Sequence, residues 1–224
     1  MVTLENLCFQ PTHSAAPPRS LNLQIAQPGM VAILGGNGSG KSTLAQLLAG
    51  WYPDYLPGTL SGTGRILGQP PGERSQPEQA QTVQLVQQSP ALQLSGCTFS
   101  VEEEVAFGPE NLCLAEGEIL ARLEAALTLT DCLPLRHRHP ATLSGGEAQR
   151  VVIACALAMQ PRLLLLDEAF SRLTPQATQQ MLSRLAAWAD ASGALVMLFE
   201  RHRQPAQAFC RQMWQLDETG LTAL

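Results

Sequence analysis

The residues Gly35-Gly36-Asn37-Gly38-Ser39-Gly40-Lys41-Ser42 fit the pattern GxxxxGK[ST] and stand between an apolar run at 30–34 and a segment of helical apolar spacing at 41–50. A strand before this pattern and a helix after it are the context in which it forms a phosphate-binding P-loop. The glycines allow a concave row of backbone N–H donors, and the helix start adds its positive dipole end. We therefore predict that Gly35 through Thr43 bind nucleotide phosphates, with Lys41 on the β- and γ-phosphates and the Ser42 hydroxyl on Mg²⁺. The alternative is a glycine-rich turn that binds no ligand.

A second motif supplies the carboxylates that a P-loop needs. Leu163-Leu164-Leu165-Leu166-Asp167-Glu168 predicts a buried strand with two acids at its carboxyl end, the end at which α/β sheets bind ligands. We expect Asp167 to hold Mg²⁺, and Glu168 to orient and polarise the attacking water. Taken alone, the pair would be better explained as two solvated acids after a strand. The upstream P-loop favours the catalytic interpretation.

Composition and charge exclude several classes of protein. Of the 224 residues, 45% are hydrophobic and 15% charged, which excludes general disorder. A net charge of −5 argues against binding to nucleic acid through its phosphates. We find no apolar run of the roughly 18 residues that span a bilayer, no secretory signal, and no CxxC pair among six cysteines. We therefore expect a soluble intracellular chain. Its 14 basic residues include one lysine, Lys41.

The rest of the chain alternates between strand-like and helix-like patterns, which favours an α/β fold with a parallel sheet. Residues 89–142 differ, because segments of helical spacing at 100–107 and 116–129 predict a mainly helical insert. The polar segment 69–81 is predicted to be an exposed loop. We expect residues 1–224 to form one domain that contains the insert. The predicted strands are 2–7, 21–26, 30–34, 64–67, 82–86, 163–166, 194–199 and 213–217, and further helices are predicted at 41–50, 144–159 and 175–189.

A third motif, Leu143-Ser144-Gly145-Gly146-Glu147 followed by Gln149-Arg150, lies between the other two. By itself it predicts a Ser N-cap with a capping box. With the P-loop and the acid pair, it makes the chain resemble the ATP-binding subunit of ABC transporters over nearly its whole length. The family motif reads LSGGQ, so Glu147 is a conservative departure.

The resemblance implies an ABC-type P-loop nucleotide-binding domain with a parallel core sheet, a small antiparallel β subdomain and a helical subdomain. It also implies that two ATPase chains sandwich two ATP molecules. Ser144, Gly145 and Gly146 would then bind the nucleotide held by the opposite protomer, with Ser144 and Gly146 on its γ-phosphate. A single chain would lack a complete site.

Two further segments indicate which type of ABC ATPase the chain resembles. Residues Val83–Pro90 look like the family's Q-loop, which implies that Gln88 approaches Mg²⁺ and the attacking water. Residues Val101–Leu112, VEEEVAFGPENL, are similar to a segment of energy-coupling factor (ECF) transporter ATPases. The physical alternative for the latter is an acidic amphipathic helix ended by Gly-Pro. ECF importers carry vitamins or cobalt and nickel ions, and combine two ATPases with a transmembrane coupling protein and a substrate-binding membrane protein. The resemblance therefore implies a peripheral location on the cytoplasmic face of the cell membrane.

Three positions depart from the family pattern. The aromatic that stacks on adenine should fall near Pro11; either Phe9, the nearest substitute, takes its place or the stacking contact is lost. An aspartate of the family is replaced by Thr174. The histidine that contacts the γ-phosphate aligns with Arg201, so that His202 serves only if the loop shifts by one residue. These departures lead to the hypothesis that the chain pairs with a related ATPase and has the weaker site of the two.

Other functions remain open from the sequence. The alternatives are the ATPase of a conventional ABC importer, a soluble ABC-type ATPase, and a regulatory subunit that binds ATP but hydrolyses it weakly. The segment Val101–Leu112 argues against the first of these. The lack of heptads and of a basic surface argues against the second.

Overall fold

The structure is a computed structural model that describes residues 1–12, 19–204 and 206–224. The strands in these ranges are β1 (Val2–Pro11), β2 (Ser20–Ile25), β3 (Gly29–Leu34), β4 (Gly58–Ile66), β5 (Val83–Val86), β6 (Leu163–Asp167), β7 (Leu195–Glu200), β8 (Gln212–Asp217) and β9 (Gly220–Ala223). The α-helices are α1 (Lys41–Leu48), α2 (Gln76–Thr82), α3 (Val101–Asn111), α4 (Glu116–Leu129), α5 (Gly145–Ala158) and α6 (Pro175–Ser192).

The larger sheet has the strand order β5-β6-β7-β3-β8-β9. Its first five strands pair in parallel, and β9 adds to β8 in the antiparallel sense. Strands β3 and β6 are buried along their whole length, which explains why their sequences are continuous apolar runs rather than alternating ones. The predicted α/β class with a parallel core sheet is confirmed.

The strand order determines which residues meet at the carboxyl edge of this sheet. Strand β7 lies between β6 and β3, with Asp167 opposite Phe199 and Leu34 opposite Glu200. The chain that leaves β3 enters the P-loop, and the chain that leaves β6 carries the Asp167/Glu168 pair. The residues at the end of β7 therefore lie between the phosphate loop and the carboxylates.

A second sheet is antiparallel, with the order β2-β1-β4. It shares an apolar core with α1 and with one face of the larger sheet, so the helix that begins at Lys41 is fixed between the two sheets. The predicted small antiparallel β part is confirmed. Strands β1 and β4 are longer than predicted, because a register shift between Glu5 and Cys8 lets their pairing continue as far as Pro11 and Gly58.

Helices α3, α4 and α5 pack on the opposite face of the larger sheet and share its second core cluster. The prediction that Gly-Pro ends α3 is wrong, since the helix continues to Asn111 with Pro109 inside it. A Cβ at Gly108 would lie 2.5 Å from the sulfur of Met159, so this glycine permits a close approach to the end of α5. Pro109 is buried beside it, and packing compensates for the hydrogen bond that proline removes.

The prediction that residues 69–81 form an exposed loop is also wrong in part, because α2 occupies Gln76–Thr82. The helix has no buried residue and therefore no apolar stripe that a sequence pattern could reveal. It is attached through the Gln79 amide, which donates to the Ala49 carbonyl at 2.8 Å. None of the helices in the described ranges is long and apolar enough to cross a membrane.

Candidate active site

The P-loop conformation depends on glycine at three positions. Gly38 and Gly40 have φ values of 76° and 94°, in the left-handed region that residues with a Cβ rarely adopt. At Gly35 the limit is space, because a Cβ would lie 2.5 Å from the Ser39 hydroxyl oxygen and 2.7 Å from the Leu216 carbonyl oxygen. The neighbouring residues Gly36 and Asn37 are exposed. The loop thus presents exposed backbone at the start of α1, as phosphate binding requires.

Lys41 is buried inside this loop, with 4% of its surface exposed. Its ammonium group donates to the carbonyl oxygens of Gly35 at 2.7 Å and Gly36 at 3.0 Å, and it lies 3.6 Å from Oε1 of Glu168. The neighbouring Ser42 is exposed, and its hydroxyl hydrogen-bonds to the Asp167 carboxylate. The P-loop and the acid pair, 125 residues apart in the sequence, are therefore joined by two side-chain contacts.

Asp167 has the properties of a metal ligand. Its carboxylate is buried, and Oδ1 has no hydrogen-bond partner among the described residues. Burial raises the pKa of this carboxyl, and the negative charge of Glu168 adds to the shift, against the opposing effect of Ser42 and Lys41. A buried carboxylate oxygen without a donor is costly unless a cation or a proton satisfies it. Together with the Ser42 hydroxyl, it makes an all-oxygen donor set of the kind that Mg²⁺ prefers.

The Glu168 carboxylate is contacted by side chains from several loops. Its backbone is left-handed, with φ of 48°, and its N–H donates to the Phe199 carbonyl at 3.0 Å. This conformation is uncommon for a residue with a side chain, and strained residues of this kind cluster at active sites. Oε2 accepts from Nε2 of Gln88 at 3.3 Å and from Nε of Arg201 at 2.8 Å. With Lys41 on Oε1, one carboxylate faces three donors from three separate loops.

The loop that carries Gln88 is braced by a second glutamine. The Gln93 side chain accepts from the backbone N–H of Gln87 at 2.6 Å and donates to the Leu85 carbonyl at 2.8 Å. Further along, the buried Glu104 accepts from the Ser95 N–H and hydroxyl at 2.6 and 2.7 Å. Part of the acidic segment that begins at Val101 therefore organises the loop that follows Gln88.

The structure adds a group that the sequence did not predict. Glu200 ends β7, and its Oε1 is buried without a hydrogen-bond partner among the described residues. Burial, followed by the negative charges of Glu168 and Asp167, raises the pKa of Glu200 to about 7. The sequence contains no motif at this position. The signal that would have identified it is the strand order, which places the end of β7 between the two predicted motifs.

A cleft lies beside the P-loop. Phe9 and Pro11 line it together with Gly38 and Thr43. Phe9 packs edge-on against Tyr52, with the ring centroids 5.8 Å apart. The structure thus places Phe9 in the wall of a cleft that the P-loop residues Gly38 and Thr43 also line. Its role in stacking remains a prediction.

Arg19 also lines this cleft and was not identified from the sequence. Its guanidinium donates to the carbonyls of Ser39 at 2.8 Å and Asp217 at 3.0 Å. It therefore ties the P-loop to the end of β8.

The segment Ser144–Gly146 forms the start of α5, and its environment differs from that of the P-loop and the acid pair. The Ser144 hydroxyl accepts from the Glu147 N–H at 3.4 Å, and the Glu147 carboxylate accepts from the Ser144 N–H at 2.7 Å, which completes a capping box. These bonds lower the pKa of Glu147, which also accepts from Arg138 at 2.7 Å. Gly145 and Gly146 lie against Arg172. Within the described ranges, no hydrogen bond joins this segment to the chain's own P-loop.

Two departures from the family pattern can be located. Thr174 is the N-cap of α6, where its hydroxyl accepts from the Ala177 N–H at 3.3 Å, so threonine preserves the cap that an aspartate would provide. The structure does not bring His202 to Glu168. Its side chain is exposed and has no hydrogen bond or ion pair with any described residue, whereas the preceding Arg201 faces the carboxylate. The role predicted for His202 stays a prediction.

A family profile described as "ABC transporter" matches residues 18–171, more than half of the chain. The chain belongs to the ABC transporter family. It is an ABC-type ATPase, a domain that binds and hydrolyses ATP.

Among curated proteins, it is 36% identical to the nickel import ATP-binding protein LarO of Lactiplantibacillus plantarum, over 91% of this chain and 84% of LarO. It is 34% identical to the energy-coupling factor transporter ATP-binding protein EcfA of Syntrophomonas wolfei, over 92% of this chain and 74% of EcfA. Other relatives are longer, and the chain spans 34% of an ABC transporter ATP-binding protein of Methanosarcina acetivorans. Among solved structures, it resembles cbiO1 of Clostridium perfringens, described as part of the ABC transporter complex cbiONQ, with a TM-score of 0.84 and 28% identity over 99% of this chain and 86% of that one.

Proposed function

We propose that this ABC ATPase, acting as one domain over residues 1–224 with a helical subdomain near 89–142, powers a membrane importer of the ECF type. The observation that carries the proposal is the convergence of Lys41, Gln88 and Arg201 on the Glu168 carboxylate, next to the buried Asp167. This arrangement suits phosphoryl transfer to water, because it combines a phosphate-binding cation, a metal ligand and a general base.

Each residue has a part in hydrolysis that follows from its position. The P-loop from Gly35 to Thr43 holds the phosphates through exposed backbone N–H groups and Lys41. Asp167, Ser42 and Gln88 would hold Mg²⁺, which would supply positive charge to neutralise the phosphate oxygens. Glu168 orients the attacking water and accepts its proton. Phe9 packs against the adenine ring at the edge of the cleft.

The proposed working unit contains a second ATPase chain. Ser144 and Gly145 are exposed and Gly146 is half-buried at the start of α5, where the helix dipole favours an anion. Among the described residues, no hydrogen bond joins this segment to the chain's own P-loop. We assign the segment to the γ-phosphate of a nucleotide held by the opposite chain. A site is then complete only between two chains, either identical or related.

The ECF type rests on sequence and relatives together. The segment Val101–Leu112 resembles that of ECF ATPases. Within it, Glu104 accepts hydrogen bonds from Ser95, and Gly108 permits the close approach of Met159. EcfA and the nickel-import protein LarO are related over more than nine-tenths of this chain. The proposed cargo class is a vitamin or a cobalt or nickel ion, and the proposed location is the cytoplasmic face of the cell membrane. A conventional importer remains the main alternative.

The proposed membrane partner is a transmembrane coupling protein. Near the loop that carries Gln88, Leu92 and Phe99 are 81% and 77% exposed, and Phe107 of α3 is also exposed. Large apolar side chains in such positions are typical of a surface that a partner covers. Because the loop contacts Glu168 through Gln88, a protein docked there would respond to events at the site.

The test is to isolate a tagged chain from detergent-solubilised native membranes and identify what accompanies it by mass spectrometry. The proposal predicts a transmembrane coupling protein and a small substrate-binding membrane protein, whose identity would name the cargo. Phe99→Ser should lower their recovery, whereas Leu120→Ser, at a side chain 52% exposed on α4, should not. Recovery from the cytosol without membrane partners would contradict the transporter function and favour a soluble ATPase.

A second candidate is a regulatory subunit that closes on ATP but hydrolyses it weakly beside a more active partner. The ion pair between Arg201 and Glu168 favours it, because a carboxylate bonded to a guanidinium is a poorer base. Turnover by the purified chain separates the candidates. Fast, cooperative hydrolysis that Glu168→Gln abolishes would exclude the regulatory subunit.

A further inference from the structure

The residue that follows β7 is a cation placed on the proposed catalytic carboxylate. Arg201 Nε lies 2.8 Å from Oε2 of Glu168, within the range of a charge-assisted hydrogen bond. The Glu168 side chain is only 14% exposed, whereas that of Arg201 is 42% exposed. The carboxylate is therefore fixed in the wall of the site, and the guanidinium reaches it from the solvent side.

Lys41 contacts the other oxygen of the same carboxylate. Its ammonium group is 3.6 Å from Oε1 and is bonded at the same time to two P-loop carbonyls. Glu168 therefore bridges two cations that belong to different strand ends. Of these, Lys41 is buried in the loop that binds phosphate, and Arg201 lies on the opposite side of the carboxylate.

We infer that Arg201 is a positioning residue that restrains Glu168 through this ion pair and transfers to the γ-phosphate when ATP binds. The inference rests on the proposed function of the site. A γ-phosphate on Lys41 brings about two negative charges beside Glu168, whereas the carboxylate carries one. Both cations are then attracted more strongly to the phosphate, and arginine, with its five donors, suits its oxygens. Glu168 is released as a base only when a γ-phosphate is present.

This assignment differs from the sequence expectation for His202. Histidine is neutral over much of the physiological range, whereas arginine stays charged, so the restraint and the phosphate contact persist at all physiological pH values. Glu200, which is half-buried, directly precedes Arg201, and the P-loop N–H of Gly35 donates to the Glu200 backbone carbonyl at 3.0 Å. The backbone that carries Arg201 is thus attached to the phosphate loop.

The test compares the affinities of the full-length chain for ADP and for the non-hydrolysable ATP analogue AMP-PNP, with Mg²⁺, by titration calorimetry. Arg201→Ala should weaken AMP-PNP binding by about 10- to 100-fold, the effect of one charge-assisted hydrogen bond or two, and leave ADP binding unchanged. Arg203→Ala, a matched removal of an exposed arginine two residues later, should change neither affinity. His202→Ala should also retain the preference for AMP-PNP.

Arg201→His adds a readout that a merely structural role would not change. Its imidazole is charged mainly below its ordinary pKa of about 6.5. Relative to wild type at the same pH, the variant should therefore regain the AMP-PNP preference at pH 5.5 and lose it at pH 8. A variant that keeps a constant ratio to wild type over this range would contradict the inference.

A double-mutant cycle tests the ion pair without nucleotide. The losses in melting temperature for Arg201→Ala and Glu168→Gln should be less than additive, because each variant removes the same contact. Additive losses, or loss of the AMP-PNP preference in His202→Ala but not in Arg201→Ala, would overturn the role of Arg201. A wild-type chain that binds neither nucleotide would overturn the proposed function and this inference with it.

Discussion

The two segments that we assign to ATP differ in how completely the chain satisfies them. Lys41 and the Asp167/Glu168 pair lie in a largely buried wall beneath the exposed P-loop backbone, where Lys41 alone joins two P-loop carbonyls and a carboxylate. The segment Ser144–Gly146 is stabilised locally by its capping box and presents its outer side to solvent. The first region is held together by contacts between distant parts of the chain. The second is a locally capped helix start, and no hydrogen bond in the described part of the chain joins it to the P-loop. The contrast agrees with the proposal that each chain supplies two unlike halves of a site shared with a second chain.

The largest effect should come from Glu168→Gln, which tests whether the buried wall performs the chemistry. The amide keeps the size of the side chain, but it carries no negative charge, so it loses the ion pair with Arg201 and cannot accept a proton from water. We expect turnover of ATP to fall by about 10²- to 10⁴-fold, the usual contribution of a general base, with ATP affinity retained. Steady-state phosphate release checks this, with the exposed Glu218→Gln as a control. Turnover within threefold of wild type would mean that the base lies elsewhere.

The next effect concerns the pH dependence of the free energy of unfolding, which Glu200 contributes from the end of β7. Burial, followed by the negative charges of Glu168 and Asp167, raises the pKa of Glu200 in the folded state from its ordinary value of 4.5 to about 7, against the opposing effects of Lys41 and Arg201. Its protonated form is favoured on folding, so its contribution to stability is complete below pH 4.5 and is lost as the pH rises through 7. The loss amounts to about 3 kcal/mol in the free energy of unfolding.

Glu200→Gln should therefore lose less stability than wild type when the pH is raised from 5 to 8. Urea unfolding at the two pH values measures the difference, and Glu116→Gln, at an exposed position, serves as the control. Equal losses in wild type and in Glu200→Gln would show that the Glu200 carboxyl ionises normally.

Lys41→Ala tests whether the P-loop binds the phosphates of the nucleotide. We expect ATP affinity to fall by about 10- to 100-fold, because the chain has no other lysine and the variant loses its charge-assisted bonds to the phosphates. ADP affinity should fall as well, in contrast to the effect expected of Arg201→Ala. Calorimetry with both nucleotides measures this, and Arg65→Ala provides an exposed cation as a control. Unchanged ATP affinity would contradict the P-loop assignment.

The smallest effect should come from Ser144→Asp, which tests the exposed half. Aspartate is as good an N-cap as serine, so α5 should remain folded, but its charge would face the γ-phosphate of the opposite chain. In a Glu168→Gln background, we expect ATP-dependent dimerisation to weaken by about 10-fold, with nucleotide binding by the single chain unchanged. Ser144→Asn, an uncharged cap, should weaken it less. Analytical ultracentrifugation with ATP distinguishes these outcomes, and equal dimerisation by all three chains would contradict the assignment.

The same contrast explains what the sequence could predict. The P-loop, the acid pair and the capping box are contiguous patterns whose residues act where the local backbone places them, so their elements are found within a few residues of prediction. Helix α2 was missed because it is polar on every side and depends on a distant carbonyl, that of Ala49.

Long-range contacts account for the rest. Arg201 and Glu200 lie beside the carboxylates because β7 is inserted between β3 and β6. No single sequence motif predicts this strand order. Arg19 reaches the P-loop across 20 residues and the end of β8 across 198. Such residues require the assembled sheet before their chemistry can be recognised.

The single lysine has a practical consequence for mapping this subunit within an assembly. Reagents that acylate amines find one side-chain target in the sequence, and that target is enclosed by carbonyls and a carboxylate. Lysine-directed cross-linkers will therefore find no side-chain target on the outer faces of the domain, and carboxyl-directed chemistry is the better choice for tracing its neighbours. Conversely, any acylation of Lys41 reports that its contacts with the P-loop carbonyls and with Glu168 have opened.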